Sequence, residues 1–320
     1  MKTTVFVSRK IPRAGIDILE EAGMAVEVNP EDRVLTAEEL MVGCRGKDGL
    51  LCLLTDTIDR AFLKKMSQLK GIANMAVGYN NIDVNAAAER GIPVSNTPGV
   101  LTEAAADLTW ALLVATARRL SEAERYLRAG EFTGWGPLLF LGGDLPGRTL
   151  GIIGAGRIGT AVGVRSQGFR MKIIYTDPNR NMVLEEELDG RRVELDTLLA
   201  QSDFITLHVP LTEETRHLIG SRELRRMKKT AYLINTSRGP VVDEEALVEA
   251  LQSGEIAGAG LDVFEKEPHI HPGLLSLPSA VLLPHIGSAT IETRTRMAEM
   301  AARNLVAMMK GERPPDCVNL

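Results

Sequence analysis

Arg238, Glu267 and His285 each follow a short apolar run of the kind that ends a strand. Arg238 lies in Asn235-Thr236-Ser237-Arg238-Gly239, Glu267 comes after Leu261-Asp262-Val263-Phe264, and His285 lies in Leu282-Leu283-Pro284-His285-Ile286-Gly287. A guanidinium fork holds a carboxylate and polarises a neighbouring carbonyl. An imidazole gives a proton to an oxygen, or removes one, near neutral pH. A carboxylate beside that imidazole stabilises its protonated form. Singly, each residue reads as a solvated loop charge or a packed histidine. Together, beyond the carboxyl ends of strands where open α/β sheets bind ligands, they suit hydride addition to the carbonyl of a small 2-keto acid. The other four histidines are His208, His217, His269 and His271.

A second constellation supplies the partner for such a reaction. Gly154-Ala155-Gly156-Arg157-Ile158-Gly159 directly follows the apolar run Leu150-Gly151-Ile152-Ile153 and precedes a helical stretch. G-x-G-x-x-G is weak alone and strong in that context. The first glycine permits the tight turn, the second lets backbone approach a pyrophosphate, and the third lets helix and strand pack closely. The helix N-terminus then offers free N–H groups to the phosphates. Asp177 ends the next apolar run, Ile173-Ile174-Tyr175-Thr176, about 20 residues on, where a carboxylate accepts from ribose hydroxyls and repels a 2′-phosphate. The expected cofactor is therefore NAD rather than NADP, with Arg180 as the nearby cation that softens the preference.

The elements that must position these residues alternate between short β-branched runs and amphipathic stretches, which predicts parallel sheets with helical crossovers. The first series of strands is expected at Thr4–Ser8, Val26–Asn29, Gly49–Leu54, Ile72–Val77 and Pro93–Asn96, with a capping-box helix start at Thr36-Ala37-Glu38-Glu39. One long helical stretch is expected from about Leu101 to Ala129, stopping near Gly130, followed by the loop Phe132-Thr133-Gly134-Trp135-Gly136-Pro137. The second series falls at Thr149–Ile153, Lys172–Thr176, Phe204–Val209, Ala231–Asn235, Gly258–Val263 and Val281–Leu283, and a last helix, from about Ile291 to Lys310, could return to either domain.

Bulk properties narrow the classes. At 320 residues, two domains are expected. With 25% charged residues and a net charge of −5, there is no electrostatic reason to seek nucleic acid or an anionic membrane. No apolar stretch is long enough to span a bilayer, and the opening Met1-Lys2-Thr3-Thr4-Val5-Phe6-Val7 reads as a strand rather than a signal peptide. Cys44, Cys52 and Cys317 form no CxxC pair, so neither a disulfide framework nor a metal site is expected, and the default location is the cytoplasm.

Over nearly its whole length the chain resembles the D-2-hydroxyacid dehydrogenase family. The resemblance rests on Gly154–Gly159 with Asp177, His208-Val209-Pro210-Leu211-Thr212, Ile234-Asn235-Thr236-Ser237-Arg238-Gly239, Gly260-Leu261-Asp262-Val263-Phe264-Glu265-Lys266-Glu267-Pro268, and Pro284-His285-Ile286-Gly287-Ser288-Ala289-Thr290. It implies an α/β architecture of two doubly wound parallel sheets: a Rossmann cofactor domain at 101–287 and a flavodoxin-like substrate domain built from 1–100 and 288–320, with hinges near Pro98-Gly99 and Ile286-Gly287. Closure of the domains would exclude water. The implied catalytic set is Arg238, Glu267 and His285. Implied cofactor contacts fall on Gly154, Gly156, Arg157, Ile158, Gly159, Asp177, His208, Pro210, Thr215, Thr236, Ser237, Asp262 (at the nicotinamide carboxamide) and Gly287. Leu54, Val77 and Gly78 would line the substrate pocket with Arg238 and His285.

Within the family, two segments resemble the glyoxylate/hydroxypyruvate reductase branch. One is Gly134-Trp135-Gly136-Pro137-Leu138, where related reductases carry a Trp that reaches into a partner subunit's pocket, which implies a homodimer and a substrate contact from Trp135. The other is Gly287-Ser288-Ala289-Thr290. The alternative within the family is a short D-3-phosphoglycerate dehydrogenase, although no cation cluster for a substrate phosphate is evident and no regulatory domain follows Leu320. An alternative of another class is a dinucleotide-sensing, corepressor-like binding protein. Formate dehydrogenases of this fold carry Gln where Glu267 stands.

Overall fold

The computed structural model describes residues 2–320; Met1, counted in the first strand-like run, lies outside them. The chain divides into two compact units, Met1–Leu101 with Ser288–Leu320, and Thr102–Gly287.

The first unit alternates β1 (Thr4–Val7), α1 (Arg13–Glu21), β2 (Ala25–Val28), α2 (Ala37–Cys44), β3 (Gly49–Cys52), α3 (Arg60–Lys65), β4 (Gly71–Asn74), α4 (Val84–Ala88) and β5 (Val94–Ser95). Its strands pair in parallel in the order β2-β1-β3-β4-β5. Successive side chains of a strand point to opposite faces, so a sheet covered on both sides reads as continuous apolar sequence. In β3, Leu50 packs into the cluster with Phe6, Leu40 and Phe62, and Leu51 into the opposite cluster with Val5, Leu19 and Met297. The capping box at α2 is formed: Thr36 accepts from the Glu39 N–H while Glu39 accepts from the Thr36 N–H.

The second unit holds α5 (Thr102–Ala117), α6 (Leu120–Arg128), β6 (Thr149–Ile153), α7 (Arg157–Ser166), β7 (Lys172–Thr176), β8 (Arg191–Arg192), α8 (Leu195–Gln201), β9 (Phe204–Leu207), α9 (Ser221–Arg226), β10 (Tyr232–Asn235), α10 (Glu244–Ser253), β11 (Gly258–Leu261), α11 (Pro272–Leu275) and β12 (Ala280–Leu282). Its seven strands run parallel in the order β12-β11-β10-β9-β6-β7-β8. The order reverses between β6 and β9, which opens a crevice at their carboxyl ends. Here too the sheet is buried on both faces, Ile152 packing into one cluster and Ile153 into the other. The last helix, α12 (Ile291–Met309), returns to the first unit, packing on α1, β3 and β4.

One expectation needs correction, and one element was not anticipated. The stretch 101–129 is two helices rather than one: Arg119 takes a left-handed conformation (φ 54°) between α5 and α6. The carbonyl of Ala117 thus leaves the helical ladder and accepts the Gly143 N–H at 2.9 Å, which satisfies one of the groups that the break frees. The unanticipated element is β8, a two-residue edge strand of exposed arginines. No helix of the described residues is long and apolar enough to cross a membrane.

Candidate active site

In the second unit, the carboxyl ends of β10, β11 and β12 gather Arg238, Glu267, Asp262 and His285. Asn235 ends β10 and staples the loop that carries Arg238. Its Oδ1 accepts from the Ser237 N–H (3.0 Å) and Oγ (2.8 Å), and its Nδ2 donates to the Arg238 carbonyl (3.0 Å). Gly239 lets this loop press onto the neighbouring one, since a Cβ there would sit 1.8 Å from the Phe264 carbonyl oxygen. Burial pulls the Arg238 guanidinium below its usual value while the Glu267 charge opposes the shift; an arginine remains cationic regardless.

Glu267 divides its carboxylate. Oε1 accepts the Phe264 N–H at 3.0 Å, and Oε2 meets His285 Nδ1 at 2.8 Å. Burial alone would raise the Glu267 carboxyl, but the His285 hydrogen bond and charge, the Phe264 N–H and the Arg238 charge outweigh it and hold the group below its ordinary range. His285 sits in the left-handed region (φ 53°), uncommon for a residue with a Cβ and typical of backbone over-determined by its surroundings. Asp262 supplies that determination. Buried beneath the turn, it accepts the Ile286 N–H on Oδ1 and the Gly287 N–H on Oδ2, both at 2.8 Å. Sequence reasoning assigned Asp262 only to a ligand, and missed this hold on the histidine turn.

The glycine loop after β6 behaves as a phosphate cradle should. Gly154 has φ 91°, and a Cβ there would strike the His208 backbone at 2.7 Å. A Cβ on Gly159 would lie 2.1 Å from the Gly154 carbonyl oxygen, whereas one on Gly156, at the N-terminal cap of α7, would meet nothing within 4 Å. The loop is thus tight where helix meets strand and open where a pyrophosphate would approach. Arg157 and Ile158 open α7. Asp177, at the end of β7, accepts the Ala155 N–H (2.9 Å) and the Asn179 N–H (2.8 Å). Arg180 does not stand loose beside it, because its Nε donates to Glu185 at 3.0 Å. After β9, His208 has a buried Nε2 with no partner among the described residues, and burial pushes its imidazole down to about 3. A buried polar atom without a partner is unusual, and with the open Gly156 cradle it fits a polar ligand such as a dinucleotide. Thr215 Oγ1 donates to the Pro210 carbonyl (2.6 Å) and accepts the Thr212 N–H (2.8 Å), shaping the loop that carries Pro210. Thr236 Oγ1 shares a 2.8 Å hydrogen bond with Thr109 of α5.

In the first unit, Leu54 and the pair Val77 and Gly78 occupy the loops after β3 and β4. Asn81 ties these loops together. Its Nδ2 donates to the carbonyls of Leu53 (3.1 Å) and Asp56 (2.9 Å), and its Oδ1 accepts from Asn74 Nδ2 (3.3 Å). Asn74 Nδ2 also donates to the Gly78 carbonyl (3.1 Å), and Asn96 Nδ2 to that of Val77 (2.7 Å). Buried Asp56 takes the Ser8 hydroxyl (2.5 Å) and the Leu53 N–H (2.8 Å); burial raises its carboxyl above the usual value against the pull of those bonds. None of this network was read from the sequence. Trp135 stands in the loop after α6, 85% exposed.

Residues 110–287 match the model of the D-isomer specific 2-hydroxyacid dehydrogenase, NAD binding domain. The chain is similar to a glyoxylate reductase of Thermococcus litoralis, 52% identical over 323 aligned positions that cover 100% of this chain and 97% of that protein. It is similar to the crystal structure of a Thermus thermophilus protein (TM-score 0.93, 45% identity, covering 99% of this chain and 100% of that one). It is also similar to that of an NADPH-dependent glyoxylate/hydroxypyruvate reductase of Sinorhizobium meliloti in complex with NADP and malonate (TM-score 0.88, 35% identity, covering 99% and 97%). A glycine-loop crevice beside a paired histidine and carboxylate, in a chain that matches these proteins from end to end, has one reading: this protein belongs to the D-isomer specific 2-hydroxyacid dehydrogenase family, whose enzymes work with a nicotinamide dinucleotide.

Proposed function

We propose that the protein reduces glyoxylate, and hydroxypyruvate to the D-2-hydroxy acid, with NADH as the preferred reductant. The observation that carries the reading is the 2.8 Å contact between His285 Nδ1 and Glu267 Oε2, on loops adjoining the one that bears Arg238. The names of the relatives, glyoxylate reductase and glyoxylate/hydroxypyruvate reductase, support the substrate class.

The bound nicotinamide supplies the hydride. The chain's own residues do the rest. Arg238 binds the substrate carboxylate and polarises the keto oxygen, its planar fork fitting both. His285, engaged through Nδ1 by Glu267, presents Nε2 to that oxygen and donates a proton as negative charge develops there; in the reverse direction it removes the hydroxyl proton. Glu267 stays ionised and favours the imidazolium. One hydride and one proton added to the keto acid give the 2-hydroxy acid. Gly156, Arg157, Ile158 and Gly159 would cradle the pyrophosphate, Asp177 the adenosine ribose, and His208, Pro210, Thr236, Ser237 and Gly287 the remaining length. The loops of Leu54, Val77 and Gly78 would close on substrate, and a homodimer would bring Trp135 to a partner's pocket.

Steady-state kinetics with glyoxylate, hydroxypyruvate, pyruvate and phosphohydroxypyruvate, each with NADH and NADPH, test the proposal. Glyoxylate and hydroxypyruvate should lead in kcat/KM, and NADH should exceed NADPH because the Asp177 carboxylate opposes a 2′-phosphate. A clear preference for phosphohydroxypyruvate would sink the substrate assignment, and equal use of both cofactors the cofactor assignment.

A further inference from the structure

The glycine loop after β6 and the loop after β7 are joined through one peptide unit on each side of Ala155. Asp177 accepts the Ala155 N–H (2.9 Å), and Asn181 Nδ2 donates to the Ala155 carbonyl (2.8 Å). The same Nδ2 donates to Thr160 Oγ1 in the first turns of α7 (2.6 Å), while Asn181 Oδ1 accepts the Leu184 N–H (3.0 Å). Both amide donors and the acceptor oxygen of Asn181 are therefore in use. Its backbone is fixed as well. The Asn181 N–H donates to the Tyr175 hydroxyl (2.8 Å), and that hydroxyl, from a side chain buried in β7, donates to Glu185 (2.5 Å). The turn that follows is anchored by Leu184, which is fully buried and fills a notch on α7 that exists because residue 163 is glycine: a Cβ there would lie 2.4 Å from Leu184 Cδ2.

We infer that Asn181 is a positioning residue for the adenosine-diphosphate half of the cofactor, fixing the spacing between the pyrophosphate cradle and the ribose carboxylate. The inference rests on the dinucleotide reading of this loop. A ligand that spans two loops binds tightly when their separation is set beforehand, because it does not have to order them. The Gly154 N–H bond to the Thr176 carbonyl (3.0 Å) and the Asp177 bond join the glycine loop to the end of β7 through its N–H groups. Asn181 closes the second side of the link, and it stands on a turn whose own packing holds it still. Asn181 bonds only to β7, α7 and the loops after β6 and β7, and not to the β10, β11 and β12 ends that carry Arg238, Glu267 and His285, so its effect belongs to affinity and not to the hydride step.

Calorimetry with ADP-ribose, which carries the pyrophosphate and adenosine without the nicotinamide, reads this affinity without turnover. Asn181→Ala should raise the ADP-ribose Kd and the NADH KM in parallel by about tenfold, with kcat at saturating NADH within about twofold of the unmodified enzyme. Thr160→Val, which removes one acceptor of the bridge at nearly constant volume, should move both in the same direction by about two- to threefold, and it carries the test if Asn181→Ala does not fold. A purely structural role would lower the melting temperature while leaving the ADP-ribose Kd unchanged, and that result overturns the inference. So does a fall in kcat with no change in Kd. Failure of the unmodified protein to bind ADP-ribose would overturn the dinucleotide reading and this inference with it.

Discussion

Glu267 has two oxygens and two different partners, and in the proposed mechanism the division decides which imidazole nitrogen works. With Oε1 held by the Phe264 N–H, Oε2 is left for His285 Nδ1, so Nε2 is the nitrogen free for substrate. The carboxyl is held below its ordinary range although burial alone would raise it, so it is ionised throughout neutral pH and stabilises a proton on the imidazole. Glu267→Gln keeps the shape and removes the charge. The imidazolium then loses the carboxylate charge that faces its Nδ1. Reduction needs the protonated ring, so the alkaline limb of its kcat/KM profile should move to lower pH, and oxidation, which needs the neutral ring, should extend further into acid. His285→Ala should cost about 10²–10⁴-fold in kcat, the usual size of a general-acid contribution. A Glu267→Gln profile that falls in height with both limbs unmoved would reduce Glu267 to a structural prop. This pair was legible in the sequence because an imidazole and a carboxylate each followed an apolar run. The left-handed backbone of His285 was not, and neither was the pair of N–H groups by which Asp262 holds the turn, since both depend on side chains brought together from different strand ends.

The elements that were legible are those with strong local signals. A continuous apolar run predicts a strand buried on both faces, and β6 and β7 fall where such runs place them; α12 falls within a residue of the helix expected at Ile291 to Lys310. The elements that were not legible are set by tertiary contacts. The break at Arg119 stands inside a helix-forming sequence, and β8 has no apolar residue to announce it. The same holds for the Asn81 network, whose sequence, Asn80-Asn81, reads as a turn. Asn81 joins the loops after β3 and β4 through three side-chain hydrogen bonds. If those loops receive the keto acid, Asn81→Ala should raise its KM by about 5–30-fold, the cost of one or two hydrogen bonds left unmade. The ADP-ribose Kd should stay unchanged, because the network is confined to the first unit. An unchanged keto-acid KM, or an equal loss of ADP-ribose affinity, would show that the loops do not act on substrate.

At the scale of the whole molecule, the surface of the second unit carries a feature that a lone chain has little reason to keep. From the last turn of α6 to β6 the chain exposes Leu127, Phe132, Trp135, Leu138 and Leu141, with Trp135 and Leu138 at 85% and 80%. Single exposed apolar residues are ordinary, but a cluster marks a surface that meets another apolar surface. Burying a large apolar side chain is worth about 1.5–3 kcal/mol, and a two-fold axis makes every such contact twice, so a handful of these residues suffices to offset the cost of association. Among the charges of the same segment, Arg119 pairs with Glu122 and Arg128 with Glu124, so those four need no new partner on burial. Light scattering at micromolar concentration should therefore return twice the 34.8 kDa chain mass. Trp135→Asp combined with Leu138→Asp should shift the protein toward the monomer, because four carboxylates would then face an apolar partner, two from each chain. Both changes lie on an exposed loop, so the melting temperature of the monomer should move little. If Trp135 completes a partner's pocket, the double variant should also raise the keto-acid KM while leaving the ADP-ribose Kd unchanged. An unmodified protein that scatters as a monomer across the concentration range would rule out the dimer, and a double variant that remains dimeric would place the interface elsewhere.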